Sequence, residues 1–399
     1  MDLASFKLLF SKIGQDALAA AVQLQPKETD YLRYFQKLEK QFPGKLAQAA
    51  LEIAILRKEA DKKFPHAERM FFTREALEQA SPDEVSKHRT ARYREFSHLV
   101  DLGCSIGSDT LNMGRMAHTT GIDIDALRLA MAQSNAEALG LADQIDFIRA
   151  DLNAPLPIEG SESCGLFFDP ARRAAGRRVY SVKDYEPPLE IVSSRLDSFP
   201  AIGVKISPGV DKSELADFDA ELEFVSLGGE LKEALLWFGP LKTAKRRATI
   251  LPGPHSLTGD EEIGSLPLSE PKGYIYEPDA AVIRAGLVAK LGDQLGAFQL
   301  DPDIAYLTAD EETLNLFSRI WKVEDWLPFN LKRLREYLRA RDVGAVTVKK
   351  RGSPLQPEEL IRMLRLRGDD QRVLFLTHLD GAPITIVCYQ PKPKPSVVS

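Results

Sequence analysis

Between residues 99 and 173, a glycine bend and four acids follow one another at intervals that suit the binding of a small polar ligand. Val100-Asp101-Leu102-Gly103-Cys104-Ser105-Ile106-Gly107-Ser108-Asp109 reads as an apolar strand running into a glycine loop and then a helix. Glycines in such a loop let the backbone approach a ligand closely. Gly121-Ile122-Asp123-Ile124-Asp125 ends a second strand in an acid, and Arg149-Ala150-Asp151-Leu152 ends a third. Leu166-Phe167-Phe168-Asp169-Pro170 ends a fourth. All four acids fall near the carboxyl ends of expected parallel strands, where open α/β sheets bind ligands.

Three ligand chemistries compete for this loop. A dinucleotide asks for GxGxxG and a helix N-terminus that receives a pyrophosphate. Here Asp101 and Asp109 flank the glycines and would repel it. A hydrolase nucleophile elbow asks for GxSxG, which Gly103-Cys104-Ser105-Ile106-Gly107 spells. That elbow follows several strands, whereas everything before Leu99 reads as helical, and His118, His255 and His378 have no distinctive setting. The third ligand is S-adenosylmethionine, which presents a sulfonium cation, an amino-acid end, a ribose diol and an adenine. A glycine loop with acids at successive strand ends suits it. Asp101, Gly103, Ser105 and Gly107 would receive the amino-acid end, with Cys104 in the same turn. Asp123 would accept the ribose hydroxyls, and Asp151 with Leu152 would meet the adenine. Each acid taken singly is also an ordinary helix cap or turn residue.

The elements that must position these groups alternate along the chain. Short strands at 99–102, 120–124, 144–149, 165–168 and 203–206 interleave with helices at 111–116 and 126–139, which indicates a parallel sheet built from βαβ units. Segments 222–227 and 234–238 suit an antiparallel edge hairpin. Before this lies a helical region, with Leu46, Ala49, Ala50, Ile53 and Leu56 at helical spacing. Ser81-Pro82-Asp83-Glu84 marks a helix start, with Ser81 as cap and a run to about Tyr93. Pro252, Pro254, Gly259, Pro267 and Pro271 punctuate a loop or linker. The end of the chain reads as a basic helix from Leu331, a strand, a second helix and two strands joined at Asp380-Gly381.

Composition bounds the reading. Of 399 residues, 44% are hydrophobic and 28% charged, as expected of a folded globular chain. No run approaches the roughly 18 apolar residues of a membrane span, and Met1-Asp2-Leu3 does not begin a signal peptide. Cys104, Cys164 and Cys388 lie far apart and form neither a disulfide framework nor a metal-binding CxxC, so no metal is expected and the setting is cytoplasmic. The net charge of −6 excludes coating of nucleic acid by bulk positive charge. It is unevenly spread, because residues 321–399 hold 15 Lys+Arg against 9 Asp+Glu. A basic appendage on an acidic body follows.

These motifs together resemble class I S-adenosylmethionine-dependent methyltransferases, over residues 70–240. The resemblance implies an α/β fold with a Rossmann-like, seven-stranded methyltransferase sheet, a helical N-terminal region and a smaller α+β C-terminal domain. Asp169-Pro170 resembles the Asp/Asn-Pro-Pro-aromatic motif of enzymes that methylate exocyclic or amide nitrogens, and it implies that both residues position the acceptor. Ala171 and Arg172 stand where that motif has its second proline and aromatic, and Arg172, Arg173 and Arg177 are candidates for phosphate or base contacts. Ser81-Pro82-Asp83, Val85-Ser86, His88 and Arg92 resemble the helix that precedes the loop in the RNA cap guanine-N2 (trimethylguanosine synthase) branch, where the segment closes over the cofactor. Gly273-Tyr274-Ile275-Tyr276-Glu277-Pro278-Asp279 and the terminal elements resemble the THUMP-like domain, which implies RNA as partner. The expected organisation is a helical region at 1–95, a methyltransferase domain at 96–255, a linker and connecting segment at 256–325, an α+β THUMP-like domain at 326–390 and a disordered tail at 391–399.

Overall fold

The computed structural model describes residues 1–170, 173–174, 177–178, 181–192, 194–196, 198–260 and 264–390, with the backbone alone at 173–174 and 177–178. Arg172 and the expected tail at 391–399 lie outside the described residues. The chain divides into two compact units, residues 1–223 with 232–243, and residues 224–231 with 244–399.

The first unit opens on helices α1 (Leu3–Leu8), α2 (Lys12–Gln23), α3 (Tyr31–Leu38), α4 (Gly44–Ala60), α5 (Arg74–Gln79) and α6 (Asp83–Thr90). Asp2 and Ser11 cap the first two by accepting the amides of Ser5 and Gly14. In α4 the spaced residues Leu46, Ala49, Ala50, Ile53 and Leu56 are all buried. The helices pack against Ile106 and Leu111 beside the glycine loop. Burial of each large apolar side chain contributes about 1.5–3 kcal/mol. Ser81 is not the cap of α6. Pro82 holds that position without a side-chain bond, and the Ser81 hydroxyl instead lies 3.4 Å from a Glu233 carboxylate oxygen. The helix ends at Thr90 and continues as a short 3-10 turn, Ala91–Tyr93.

Five parallel strands follow: β1 (His98–Leu102), β2 (His118–Asp123), β3 (Ile145–Arg149), β4 (Cys164–Phe168) and β5 (Ala201–Ile206). Helices α7 (Thr110–Gly114) and α8 (Ala126–Ala138) connect the first three. Leu99, Val100 and Leu102 are all buried, as in a strand covered on both faces. The hairpin β6 (Glu221–Leu227) and β7 (Glu230–Trp237) completes the order β6-β7-β5-β4-β1-β2-β3. The hairpin is as the sequence predicts, but β7 inserts antiparallel beside β5 and is not an edge strand. Among the described residues the full sheet counts nine strands, two more than expected.

The second unit contains β8 (Arg246–Leu251) and β9 (His255–Gly259), an antiparallel hairpin whose turn holds Pro252 and Pro254. Of the prolines that suggested a loop or linker, Pro252 and Pro254 lie in the turn of this hairpin. Residues 256–325 further contain β10 (Tyr274–Pro278), α9 (Ala280–Ala285), α10 (Val288–Leu295), β11 (Phe298–Asp301) and β12 (Ile304–Ala309). These strands join β13 (Ser318–Pro328), β14 (Val343–Lys350), β15 (Asp370–Leu379) and β16 (Ala382–Tyr389) in a seven-stranded sheet ordered β11-β12-β10-β13-β16-β15-β14. Helices α11 (Leu331–Arg339) and α12 (Pro357–Leu364) pack on it through Leu334, Leu338, Leu360 and Leu364. Arg335 and Arg339 of the basic helix donate to the backbone carbonyls of Met363 and Arg365, the last turn of α12 and its cap, while Lys332 and Arg333 are exposed.

Candidate cofactor and acceptor site

The glycine loop closes at the carboxyl end of β1. Gly103 and Cys104 donate their amides to the Ile122 carbonyl at 2.9 and 3.1 Å, and Gly107 donates to Cys104 at 2.8 Å. Gly103 has φ +81°, and a Cβ there would stand 2.8 Å from the Asp169 carbonyl oxygen. The loop and the acceptor motif therefore touch backbone to backbone, which requires glycine. Ser105 has φ +51°, a left-handed conformation that a non-glycine residue adopts at a cost. Asp123 secures it. Its Oδ2 accepts the Ser105 amide at 2.9 Å and its Oδ1 the Asp125 amide at 2.9 Å. A carboxylate has about four lone-pair positions, so each oxygen can accept a further hydrogen bond.

The three acids at the first strand ends differ in setting. Asp123 is nearly buried, whereas Asp151 is exposed and accepts both nitrogens of Asn153. Leu152 lines a small apolar hollow with Leu102, Phe168 and Val192. Ile124, beside Asp123, is an apolar residue left 58% exposed at the strand end. Asp101 is turned inward at 1% exposure and accepts the Thr110 hydroxyl. Burial, followed by the charges of Asp109 and Asp169, pushes its carboxyl up to about 8. Cys104 is buried and its thiol is pushed up by desolvation, as for a packing residue.

On the acceptor side, Asp169 donates its amide to the Leu102 carbonyl at 3.1 Å, and Pro170 is buried. The Asp169 carboxylate accepts Lys205 Nζ at 2.7 Å. The backbone of Arg173–Ala174 pairs antiparallel with that of Arg177–Arg178.

Sequence reading missed three groups. Arg89 of α6, 1% exposed, donates to Asp109 at 2.5 Å and Glu233 at 3.0 Å, with its guanidinium 4.9 Å over the Phe167 ring. It is one helical turn from Val85 and Ser86, so α6 spacing was the available signal. Lys205 is a lone cation in a wholly buried strand, which by itself demands a partner. Glu233 precedes the apolar run of β7, and burial raises its carboxyl, opposed by Arg89. His88 of α6 and Arg92 of the turn after it bind the buried Glu223 and Glu221 at 2.8 and 2.6 Å.

The loop fits an S-adenosylmethionine amino-acid end. The Ser105 hydroxyl is buried without a hydrogen-bond partner among the described residues, and the neighbouring acids oppose a phosphate. Among the described residues, no group of three or more His, Cys, Asp or Glu is placed to hold a metal, and no helix is long and apolar enough to cross a membrane.

Residues 318–390 match the family described as THUMP domain-like, and residues 2–60 match a domain of unknown function. The chain is 36% identical over 355 residues to an uncharacterized S-adenosylmethionine-dependent methyltransferase of Mycobacterium tuberculosis, covering 86% of this chain and 96% of the relative. A 56-residue stretch is 45% identical to a 23S rRNA (uracil-C5)-methyltransferase of Acidithiobacillus ferrooxidans, covering 14% of this chain and 13% of that one. Among solved structures, a candidate methyltransferase from Porphyromonas gingivalis W83 superposes with a TM-score of 0.72 at 20% identity, covering 92% of this chain and all of that one.

Proposed function

The chain belongs to the S-adenosylmethionine-dependent methyltransferases and carries a THUMP-like domain, and from that premise we propose that it methylates a nitrogen in structured RNA. The observation that carries this reading is the contact of Gly103 with Asp169, which sets the donor loop directly against an Asp-Pro acceptor motif. The cofactor supplies an electrophilic methyl group on a sulfonium. In this reading the protein binds and orients. Asp101, Gly103, Ser105 and Gly107 hold the amino-acid end, with Cys104 packed in the same turn. Asp123 holds the ribose, and Asp151 and Leu152 the adenine. Asp169 and Pro170 aim the acceptor nitrogen, a positional effect that reaches several kcal/mol in well-oriented reactions. The resemblance of residues 81–92 to the cap guanine-N2 branch supports an exocyclic amine as acceptor.

RNA as partner is supported by the THUMP-like match and by the positive balance of residues 321–399. Arg172, Arg173 and Arg177 remain candidates for its phosphates. A carbon acceptor, as in the named activity of the rRNA relative, is less well served. It calls for an activated nucleophile, and Cys104, Cys164 and Cys388 are all buried with their thiols pushed up by burial. The test is incubation with total cellular RNA and cofactor carrying a labelled methyl group. Label is expected in RNA and retained after protease treatment. Label confined to protein or small molecules favours those acceptors and overturns the RNA reading.

A further inference from the structure

Asp169 does not stand alone at the acceptor position. Its side chain is 25% exposed and forms the outward end of a buried charged group. Behind it, Lys205 is 5% exposed, and Glu233 and Arg89 are almost wholly buried. Arg89 continues the group to Asp109 in the donor loop. Asp109, Asp169 and Glu233 crowd around Arg89 and Lys205, with Asp101 beside them, its carboxyl raised by burial. Glu233 keeps one oxygen, Oε1, without a hydrogen-bond partner among the described residues. A buried ion pair seldom repays its desolvation as fold stability, and an apolar pair of similar volume often serves the fold as well. Lys205 interrupts a strand in which every residue is buried, and its ammonium reaches the aspartate whose backbone carbonyl abuts Gly103 of the donor loop.

We propose that Lys205 is a positioning residue for methyl transfer, holding Asp169 as a carboxylate against the neighbouring acids and turning it to an acceptor that bears a neutral N–H. The inference rests on Asp169 as the acceptor group. A carboxylate accepts hydrogen bonds and donates none, so it selects an acceptor that offers a proton. In the transfer, the acceptor lone pair forms the new N–C bond as the C–S bond breaks and leaves its electron pair on sulfur. The proton on the resulting ammonium passes to Asp169 and from its exposed edge to water. Lys205 stays protonated throughout and touches no reacting atom.

The test compares wild type, Lys205→Met, Lys205→Arg, Asp169→Asn and the Lys205→Met/Asp169→Asn double variant, all as full chains. The probes are labelled cofactor with total RNA, protein and small-molecule extracts, and calorimetry with S-adenosylmethionine. Lys205→Met is expected to slow saturated methyl transfer at least 30-fold with the cofactor Kd within threefold, which also reports an intact fold. Lys205→Arg should recover to within fivefold of wild type. In the Asp169→Asn background the loss of Lys205 should cost less than threefold more, because its work is done through Asp169. Wild-type rates for Lys205→Met, the same fold-loss in both backgrounds, or a loss that appears wholly as weaker cofactor binding overturns the inference. If Asp169→Asn is as fast as wild type, the acceptor role of Asp169 falls and this inference with it. Label in a fraction other than RNA overturns the RNA reading alone, and the variants are then compared on that fraction. No label in any fraction overturns both.

Discussion

The carboxylate of Asp123 and the backbone amide of Ser105 meet at 2.9 Å, so the acid at the end of the second strand also holds the donor loop after the first. Asp123 fixes the left-handed Ser105 and, under the proposed function, also faces the ribose. Replacement by alanine removes a charge-assisted acceptor worth about 1.5–3 kcal/mol, or roughly ten- to a hundredfold in affinity. Calorimetry with S-adenosylhomocysteine should show that weakening while the far-ultraviolet spectrum stays native. An unchanged Kd would remove Asp123 from the site.

Gly103→Ala adds a methyl group at φ +81°, 2.8 Å from the Asp169 carbonyl. The left-handed conformation costs about 1–2 kcal/mol for a residue with a Cβ, and the clash adds to it. The expected result is a lower urea midpoint together with loss of cofactor binding. Wild-type binding by this variant would show that the two backbones can part without consequence.

Arg89→Met leaves Asp109 and Glu233 buried without their cation. Breaking a buried pair from one side costs about 3–5 kcal/mol. Thermal unfolding should fall by many degrees, and adding Asp109→Asn and Glu233→Gln should restore part of it. A variant as stable as wild type would mean that water already screens these acids.

Asp101 governs a pH dependence. Its folded value near 8 lies above the ordinary 3.8, owing to burial first and then Asp109 and Asp169. A carboxyl raised on folding contributes stability that is present at low pH and lost as pH climbs through about 8. Unfolding temperature should therefore decline between about pH 4 and 8 and level off above that, and the decline should flatten in Asp101→Asn. Parallel curves for both proteins would assign the slope elsewhere.

On α11, Lys332 and Arg333 are exposed, whereas Arg335 and Arg339 hold backbone carbonyls. Lys332→Glu with Arg333→Glu should weaken retention of total RNA and reduce the salt slope by about one per lost phosphate contact. Arg339→Ala should chiefly lower thermal stability. An unaltered salt slope in the double variant would exclude this helix from the RNA surface.

Local pattern was enough to find the donor loop, the acids at the ends of β1 to β4 and the parallel strands between them. Strand alternation, glycine placement and strand-end acids are written in consecutive residues, and each depends on neighbours a few positions away. The partners of those acids are not. Arg89 meets Asp109 across 20 positions and Glu233 across 144, and Lys205 meets Asp169 across 36. Chain folding chooses these pairs by setting β5 beside β4 and β7 beside β5 and laying α6 across the loop, and burial then makes pairing obligatory because water no longer solvates the charges. Ser81 illustrates the same limit. Its local signature is that of a helix cap, yet with Glu233 brought within 3.4 Å its hydroxyl turns to the carboxylate. At 252–254 the prolines mark a loop as read, and only the tertiary structure reveals that the residues flanking it pair as strands.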